Sequence, residues 1–143
     1  MLSMSAQNLT PVGYVDLGLP SGTLWKTNNE KGLFDHDAAE SNFGTQIPTI
    51  RQWEELMDYC TWIWTGRGYK VIGPSGGYIV LPALGMRDCE GNVSDEGVLG
   101  DYWSETDGDV LWEFIFDESD KIVDWSENPE YYACQGHSVR LIK

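Results

Sequence analysis

The chain contains 143 residues and carries a formal net charge of −14 at pH 7, with a sequence pI of about 4.2. Its length is that of a single domain, and a composition of 41% hydrophobic and 13% aromatic residues excludes a disordered chain. The acidity repels nucleic-acid phosphates and suits basic or neutral proteins, sugars or divalent cations, and no apolar run reaches membrane-spanning length.

The N-terminal part is predicted to be a lead-in followed by two short strands. Residues 1–11 lack the basic and apolar segments of a secretion signal, and we expect one folded domain from residue 12 to residue 143. The strands are Val12–Leu17 and Thr23–Thr27, which are separated by proline and glycine turn residues.

A short helix follows at about Asp37–Asn42, and Gly44 is expected to end it. Asp35, His36 and Asp37 carry metal-ligand chemistry. We interpret them as solvated side chains, because adjacent residues of this kind without a distant partner do not make a metal site.

The strongest local signal predicts a helix over Ile50–Tyr59 that packs on a sheet. Thr49 and Gln52 have the spacing of a capping box at its start. Apolar residues recur on one helical face and charged residues cover the other. Glu54 and Glu55 point apart on a helix, so we interpret them as part of a solvated face and not as an acid–base pair.

Three short antiparallel strands are predicted next, at Cys60–Thr65, Tyr69–Ile72 and Tyr78–Pro82. The glycines between them join strand to strand and are followed by no Lys-Ser or Lys-Thr pair, so they do not form a phosphate cradle. The polar segment Asp88–Gly100 is predicted to be a loop.

The last third of the chain is a regular frame around a polar and aromatic insert. A strand is predicted at Asp101–Ser104, followed by a hairpin of Val110–Phe116 and Lys121–Trp125. The first hairpin strand is apolar enough to be central in its sheet. Ser126–Gln135 is predicted to be a loop of the kind that carries function, and His137–Ile142 to be the final strand.

Three cysteines, Cys60, Cys89 and Cys134, are neither a disulfide framework nor a zinc motif at their spacing. Cys60 lies on the apolar stripe of the main helix and is expected in the core. The count is compatible with one disulfide, but nothing in the spacing requires it. The compartment stays open: cell surface, secreted or virion-associated if a signal was trimmed or another component exports the chain, and cytoplasmic otherwise.

Ordered sequence blocks along nearly the whole chain carry a family resemblance. The blocks are Val15–Trp25, Ile47–Thr49 with Trp53–Leu56, Cys60–Trp62, Gly68–Val71 with Gly73–Gly76, Ile79–Gly85, Tyr102–Ser104 and Gly136–Arg140. They resemble the Fibrobacter succinogenes major paralogous domain, which is abundant in Bacteroidetes. The segment 32–44 departs from this pattern because it is shorter and lacks the family's Trp-Gly-Glu, and His137 stands where an aromatic residue is usual.

The resemblance implies an α+β fold of the C-type-lectin-like, formylglycine-generating-enzyme-like type. Such a fold has small twisted antiparallel sheets, one or two short helices, a long C-terminal loop region, and adjacent N- and C-terminal strands. The variable proteins of diversity-generating retroelements share it, and they diversify a C-terminal stretch inside a constant frame. The layout here is similar and implies a non-catalytic binding module for a protein or carbohydrate ligand. We expect no nucleic-acid partner and no membrane insertion, and the oligomeric state is open.

The predicted binding site surrounds the final loop. Trp and Tyr are favoured interface anchors that also stack on sugar rings, and polar neighbours give direction through hydrogen bonds. Alternation places Trp112 on the same side as Phe114 and Phe116, so we expect Trp112 in the core and the final loop exposed. The predicted ligand-binding residues are Asp101, Glu105, Asp124, Trp125, Glu127, Asn128, Tyr131, Tyr132, Gln135 and His137.

The sequence also bears on three other functions. An enzyme of the formylglycine-generating type uses a thiol pair near the C-terminus, where this chain has only Cys134, so no catalytic residue, cofactor or metal is predicted. A calcium-dependent lectin is one alternative, although its Glu-Pro-Asn and Trp-Asn-Asp patterns are absent. The oxygen ligands for calcium in that lectin would be Asp107, Asp109, Asp117, Glu118 and Asp120. A structural surface or phage-tail component is the other alternative.

Overall fold

A computed structural model describes residues 10–105, 110–126 and 129–143, without the side chains of Pro129 and Tyr131. The protein is a small α+β arrangement of short helices and several small antiparallel sheets. The helices are α1 (His36–Phe43), α2 (Ile50–Tyr59) and α3 (Pro129–Ala133), with a 3-10 turn at Gly44–Gln46. The strands are β1 (Tyr14–Asp16), β2 (Leu24–Lys26), β3 (Thr61–Trp64), β4 (Gly68–Ile72), β5 (Tyr78–Pro82), β6 (Met86–Arg87), β7 (Val93–Ser94), β8 (Gly100–Trp103), β9 (Leu111–Phe116) and β10 (Lys121–Ser126).

The two predicted helices form with their expected ends. Thr49 accepts a hydrogen bond from the backbone amide of Gln52, and the Gln52 side chain accepts one from the amide of Thr49, which completes the capping box of α2. At the end of α1, Gly44 adopts φ +50° and its amide bonds to the carbonyl of Glu40. Side chains of Trp53 and Leu56 on the inner face of α2 are fully buried.

Strand pairing follows the predicted turns. The middle sheet has the order β3-β4-β5, and the last sheet has the order β10-β9-β8, in which β9 is central as expected. Both sheets are antiparallel throughout. One feature was missed: the predicted loop Asp88–Gly100 contains β7, which pairs with β6.

The β10-β9-β8 sheet lies between two hydrophobic clusters. Tyr102, Phe114 and Phe116 project from one face into the larger cluster, where the Trp53 ring stacks on Phe114 at a centroid distance of 4.5 Å. From the opposite face, Trp103 and Leu111 project into a smaller cluster that α1 and the C-terminal segment complete. Because neighbouring residues alternate between the faces, β8 and β9 each contribute to both clusters.

The C-terminal segment does not form the continuous strand predicted for His137–Ile142. It makes isolated bridges instead, with Phe34 opposite His137, Tyr102 beside Ser138, and Trp25 opposite Ile142. The last bridge brings the C-terminus against β2, so the expected adjacency of the N- and C-terminal segments is confirmed. No single β-ladder forms because the six residues His137–Ile142 pair with three different parts of the chain.

Buried Arg140 fixes the C-terminal segment to the rest of the domain. Its guanidinium donates to the side-chain oxygen of Asn29 at 2.8 Å, to the carbonyl of Lys26 at 3.0 Å, and to the carbonyl of Val80. These acceptors belong to β2, the loop after it, and β5. The Arg140 side chain therefore ties three parts of the chain together, which is a scaffold role.

The region after β10 departs from the prediction in one respect. The predicted loop Ser126–Gln135 contains the short helix α3. Its end is held by a disulfide between Cys134 and Cys89, whose Cα atoms are 5.0 Å apart. Cys60 is the free cysteine and is half-buried against the larger hydrophobic cluster. The sequence allowed one disulfide without requiring it, because the partners are distant along the chain.

Candidate functional site

Three of the predicted binding residues are buried instead of exposed. Asp101 is 3% exposed, Gln135 8% and His137 0%. They come together with Glu113, which is also 3% exposed and which the sequence interpretation did not include. The expectation that these polar groups face a ligand at the surface is therefore wrong for Asp101, Gln135 and His137.

We call Asp101, Glu113 and His137 the acid–histidine cluster. The side chains come from β8, from the adjacent strand β9 and from the C-terminal segment, which lies beside β8 because the amide of Ser138 bonds to the carbonyl of Asp101. The imidazole Nδ1 of His137 lies 3.3 Å from Asp101 Oδ1 and 3.1 Å from Glu113 Oε2. All three atoms are buried and have no hydrogen-bond partner among the described residues.

The imidazole of His137 is held on two further sides. Its Nε2 lies 3.0 Å from Oε1 of Gln135. The Trp103 ring stacks on it with a centroid distance of 4.1 Å and an interplanar angle of 27°. Trp103 is itself fixed by a hydrogen bond from its indole nitrogen to the carbonyl of Phe34 at 2.7 Å. The ring therefore has a defined orientation toward the two carboxyl groups.

Burial dominates the electrostatics of the cluster. It raises the pKa of Asp101 well above its usual value, and the charge of Glu113 raises it further. Burial likewise raises the pKa of Glu113 to about 7. The pKa of His137 is lowered to about 3, also by burial, so the imidazole is neutral at pH 7. Asp124, opposite Glu113 in the β9–β10 ladder, adds negative charge that raises the pKa of both carboxyl groups.

Among the predicted residues, Trp125 is exposed and lies beside Trp112 on the other face of the same hairpin. Trp125 is 47% exposed and lies directly opposite Trp112 in the β9–β10 ladder. Their ring centroids are 6.1 Å apart with an interplanar angle of 52°. We call these two residues the tryptophan pair. Trp112, expected in the core with Phe114 and Phe116, is instead only partly buried.

The remaining predicted residues have different settings. Glu105 is exposed, and its backbone amide bonds to the carbonyl of Pro48. Asp124 is half-buried, and its side chain accepts a hydrogen bond from the amide of Trp125. Tyr132, expected to be exposed, packs against the smaller hydrophobic cluster. The predictions for Glu127, Asn128 and the Tyr131 side chain lie outside the described part of the chain.

The acidic turn between β9 and β10 has a local structural role. Asp117 Oδ1 accepts hydrogen bonds from the amides of Ser119 and Asp120, and the Tyr69 hydroxyl donates to the carbonyls of Asp117 and Glu118. This carboxylate thus stabilises the turn. Asp107 and Asp109, the other proposed calcium ligands, lie outside the described residues.

Sequence reasoning missed Glu113, although one signal marks it. It is the single carboxylate inside the apolar run Val110–Phe116. A charged residue in the central strand of a sheet requires a buried partner or a neutral state. That rule identifies Glu113 as a functional candidate, but it does not identify the partners, because these come from distant parts of the chain.

Comparisons with known proteins identify no relative of this chain. No protein-family model matches the chain, and no curated protein or solved structure matches it.

Proposed function

We propose that the protein is a non-catalytic binding module of the C-type-lectin-like class, which binds a protein or glycan ligand at the tryptophan pair. The observation that carries this proposal is the exposure of Trp125 beside Trp112 on adjoining strands of a rigid hairpin. Indole rings supply a large contact area at small entropic cost, and they are the residues most enriched among interface hot spots.

The scaffold beneath this surface supports the proposal. The segments Tyr102–Ser104 and Ser138–Arg140, which bracket the insert, are buried throughout. They also pair directly, since the amide of Trp103 bonds to the carbonyl of Ser138 at 3.0 Å. A rigid frame with a variable surface between its arms is the layout of the retroelement variable proteins that the sequence resembles. A reverse-transcriptase gene and a template repeat beside the gene are expected if that resemblance extends to diversification.

One further observation favours binding over catalysis, and a second favours an exported location. The three residues of the acid–histidine cluster are at most 3% exposed, so in the described part of the chain they do not line an open substrate site. Cys134, the cysteine nearest the C-terminus, forms a disulfide with Cys89. Disulfides persist in oxidising compartments, so this one supports a cell-surface, secreted or virion-associated protein. No described helix has the length and apolar character that a membrane crossing requires.

The test is a binding screen with a matched pair of variants. Wild-type protein is applied to a glycan array and to a displayed random-peptide library, and affinities for the ligands found are then measured. Trp125→Ala is expected to lose about 2 kcal/mol, roughly 30-fold in affinity. Tyr78→Ala, which removes an aromatic ring that is 53% exposed on a different sheet, should bind as wild type does.

Two results would count against the proposed surface. Equal affinity of Trp125→Ala and wild type for every ligand found would place the site elsewhere. A loss confined to Tyr78→Ala would move the site to the β3-β4-β5 sheet, where Ile63 and Val80 are also exposed. Repeating the measurement in a chelator separates the calcium-dependent alternative, because a glycan held through calcium is released and a ligand held by indole rings is not.

A further inference from the structure

The acid–histidine cluster contains three buried polar atoms that face one another and have no hydrogen-bond partner in the described part of the chain. We propose that Asp101, Glu113 and His137 bind one divalent transition-metal ion, with Zn²⁺ as the reference ion. The ligand atoms are a carboxylate oxygen from each acid and Nδ1 of the imidazole, and they all lie within 4.8 Å of one another. This proposal departs from the sequence interpretation, which predicted no metal.

The spacing of the atoms fits a metal better than it fits hydrogen bonds. In a tetrahedral zinc site with bonds of 2.0–2.1 Å, neighbouring ligand atoms are about 3.3–3.4 Å apart. The Nδ1 of His137 is 3.3 Å from Asp101 Oδ1 and 3.1 Å from Glu113 Oε2. Neither contact has hydrogen-bond geometry, and within residues 10–105, 110–126 and 129–143 both carboxylate atoms are buried without a partner.

The protonation state of His137 points the same way. Oε1 of Gln135 is only an acceptor, so the 3.0 Å contact with Nε2 requires the hydrogen of a neutral imidazole to be on Nε2. Nδ1 then directs a lone pair toward two carboxyl oxygens that also carry lone pairs. A cation bound between the three atoms removes this repulsion. Metal-bound histidines usually donate their other ring nitrogen to an oxygen acceptor in this manner.

The charge of the cluster requires compensation. With both carboxyl groups ionised, it carries two negative charges in a buried site, and Asp124 lies opposite Glu113 in the β9–β10 ladder. In the described part of the chain, His137 is the only basic side chain within 4.0 Å of Asp101 or Glu113. A divalent cation neutralises both carboxylates. A proton shared between them is the competing solution, and the experiment below distinguishes the two.

The ligand chemistry selects the class of ion. Calcium takes six to eight oxygen ligands, whereas one imidazole and two carboxylates suit Zn²⁺ and neighbouring first-row metals. Because the ligands come from β8, β9 and the C-terminal segment, a bound ion cross-links parts of the chain that are distant in sequence. Burial of all three ligands means that the ion enters while the protein folds, which gives it a structural role.

The experiment refolds the full chain, with its disulfide intact, from guanidinium chloride in the presence of chelator, Zn²⁺, Co²⁺ or Ca²⁺. Bound metal is counted by mass spectrometry after desalting, and Co²⁺ is followed by its visible absorption. We expect one Zn²⁺ or Co²⁺ per chain, no retained Ca²⁺, and a melting temperature about 5–10 °C higher with Zn²⁺ than with chelator.

Variants separate this site from surface binding and from misfolding. Glu113→Gln and Asp101→Asn preserve side-chain shape and are expected to refold but to retain no Co²⁺. His36→Gln, which removes the other histidine of the chain, should bind as wild type does. Lack of uptake by refolded wild type, or equal uptake by Glu113→Gln, would overturn the proposal. Stabilisation of Glu113→Gln over wild type, without metal uptake by either, would identify a shared proton instead.

Discussion

Removal of the Cys89–Cys134 disulfide is expected to lower the free energy of unfolding by about 4 kcal/mol. The two cysteines are separated by 45 positions. The loop-entropy relation gives about 13 cal/mol/K for a loop of this length, or about 4 kcal/mol at 25 °C. Since domains of this kind are stable by about 5–15 kcal/mol, this single bond accounts for a large part of the total.

The bond also acts at a particular place in the fold. It joins the loop after β6 to the end of α3, next to a bridge in which Arg87 and Gly136 exchange both backbone hydrogen bonds. That bridge leads directly into the segment that carries His137. Loss of the disulfide should therefore loosen α3 and the C-terminal segment before the β10-β9-β8 sheet opens.

The assay is urea denaturation of the Cys89→Ser/Cys134→Ser variant, followed by circular dichroism and tryptophan fluorescence. The transition midpoint should fall, and the melting temperature should drop by roughly 10 °C. Cys60→Ser is the matched control, because Cys60 is the free cysteine and forms no bond. A double variant within about 1 kcal/mol of wild type would refute the reasoning, and so would an equal loss in the control.

Three smaller predictions concern individual positions. Thr49→Ala removes the oxygen that caps α2 and should cost about 1 kcal/mol in urea denaturation. Gly100→Ala should cost about 2–3 kcal/mol in the same assay, because its new Cβ overlaps the buried Phe116 ring. Burial, aided by the charge of Glu55, raises the pKa of Cys60 to about 11. Thiolate is then only about 1% of Cys60 at pH 9, so alkylation should rise steeply up to pH 11 in the native protein and level off much earlier in urea.

Local sequence signals predicted most of the regular elements. The capping box and apolar stripe of α2 depend on residues within one or two helical turns, and they were found where expected. The hairpins of β3, β4 and β5 likewise follow from alternation and glycine turns. Even the central position of β9 could be predicted, because a strand covered on both faces carries more apolar residues than an edge strand.

Long-range pairings could not be predicted in the same way. Cys89 contacts Cys134, and Asp101 contacts His137, only after the chain has folded. No local sequence pattern indicates which residues will pair. The sequence therefore predicted polar residues in the last third without showing that some of them face inward. Gln135 and His137 follow α3 directly, and their burial depends on the bridge between Gly136 and Arg87.

The acid–histidine cluster and the tryptophan pair are linked by strand register. Glu113 and Trp112 are neighbours on β9, so they project from opposite faces of the sheet. A slip of one residue between β8 and β9 would bring Trp112 to the face of the cluster and Glu113 to the face that packs against α2. Contacts that hold Glu113 beside Asp101 and His137 oppose such a slip, because a slipped Glu113 would be buried without a partner. The buried cluster thus fixes which face of the hairpin presents its indole rings.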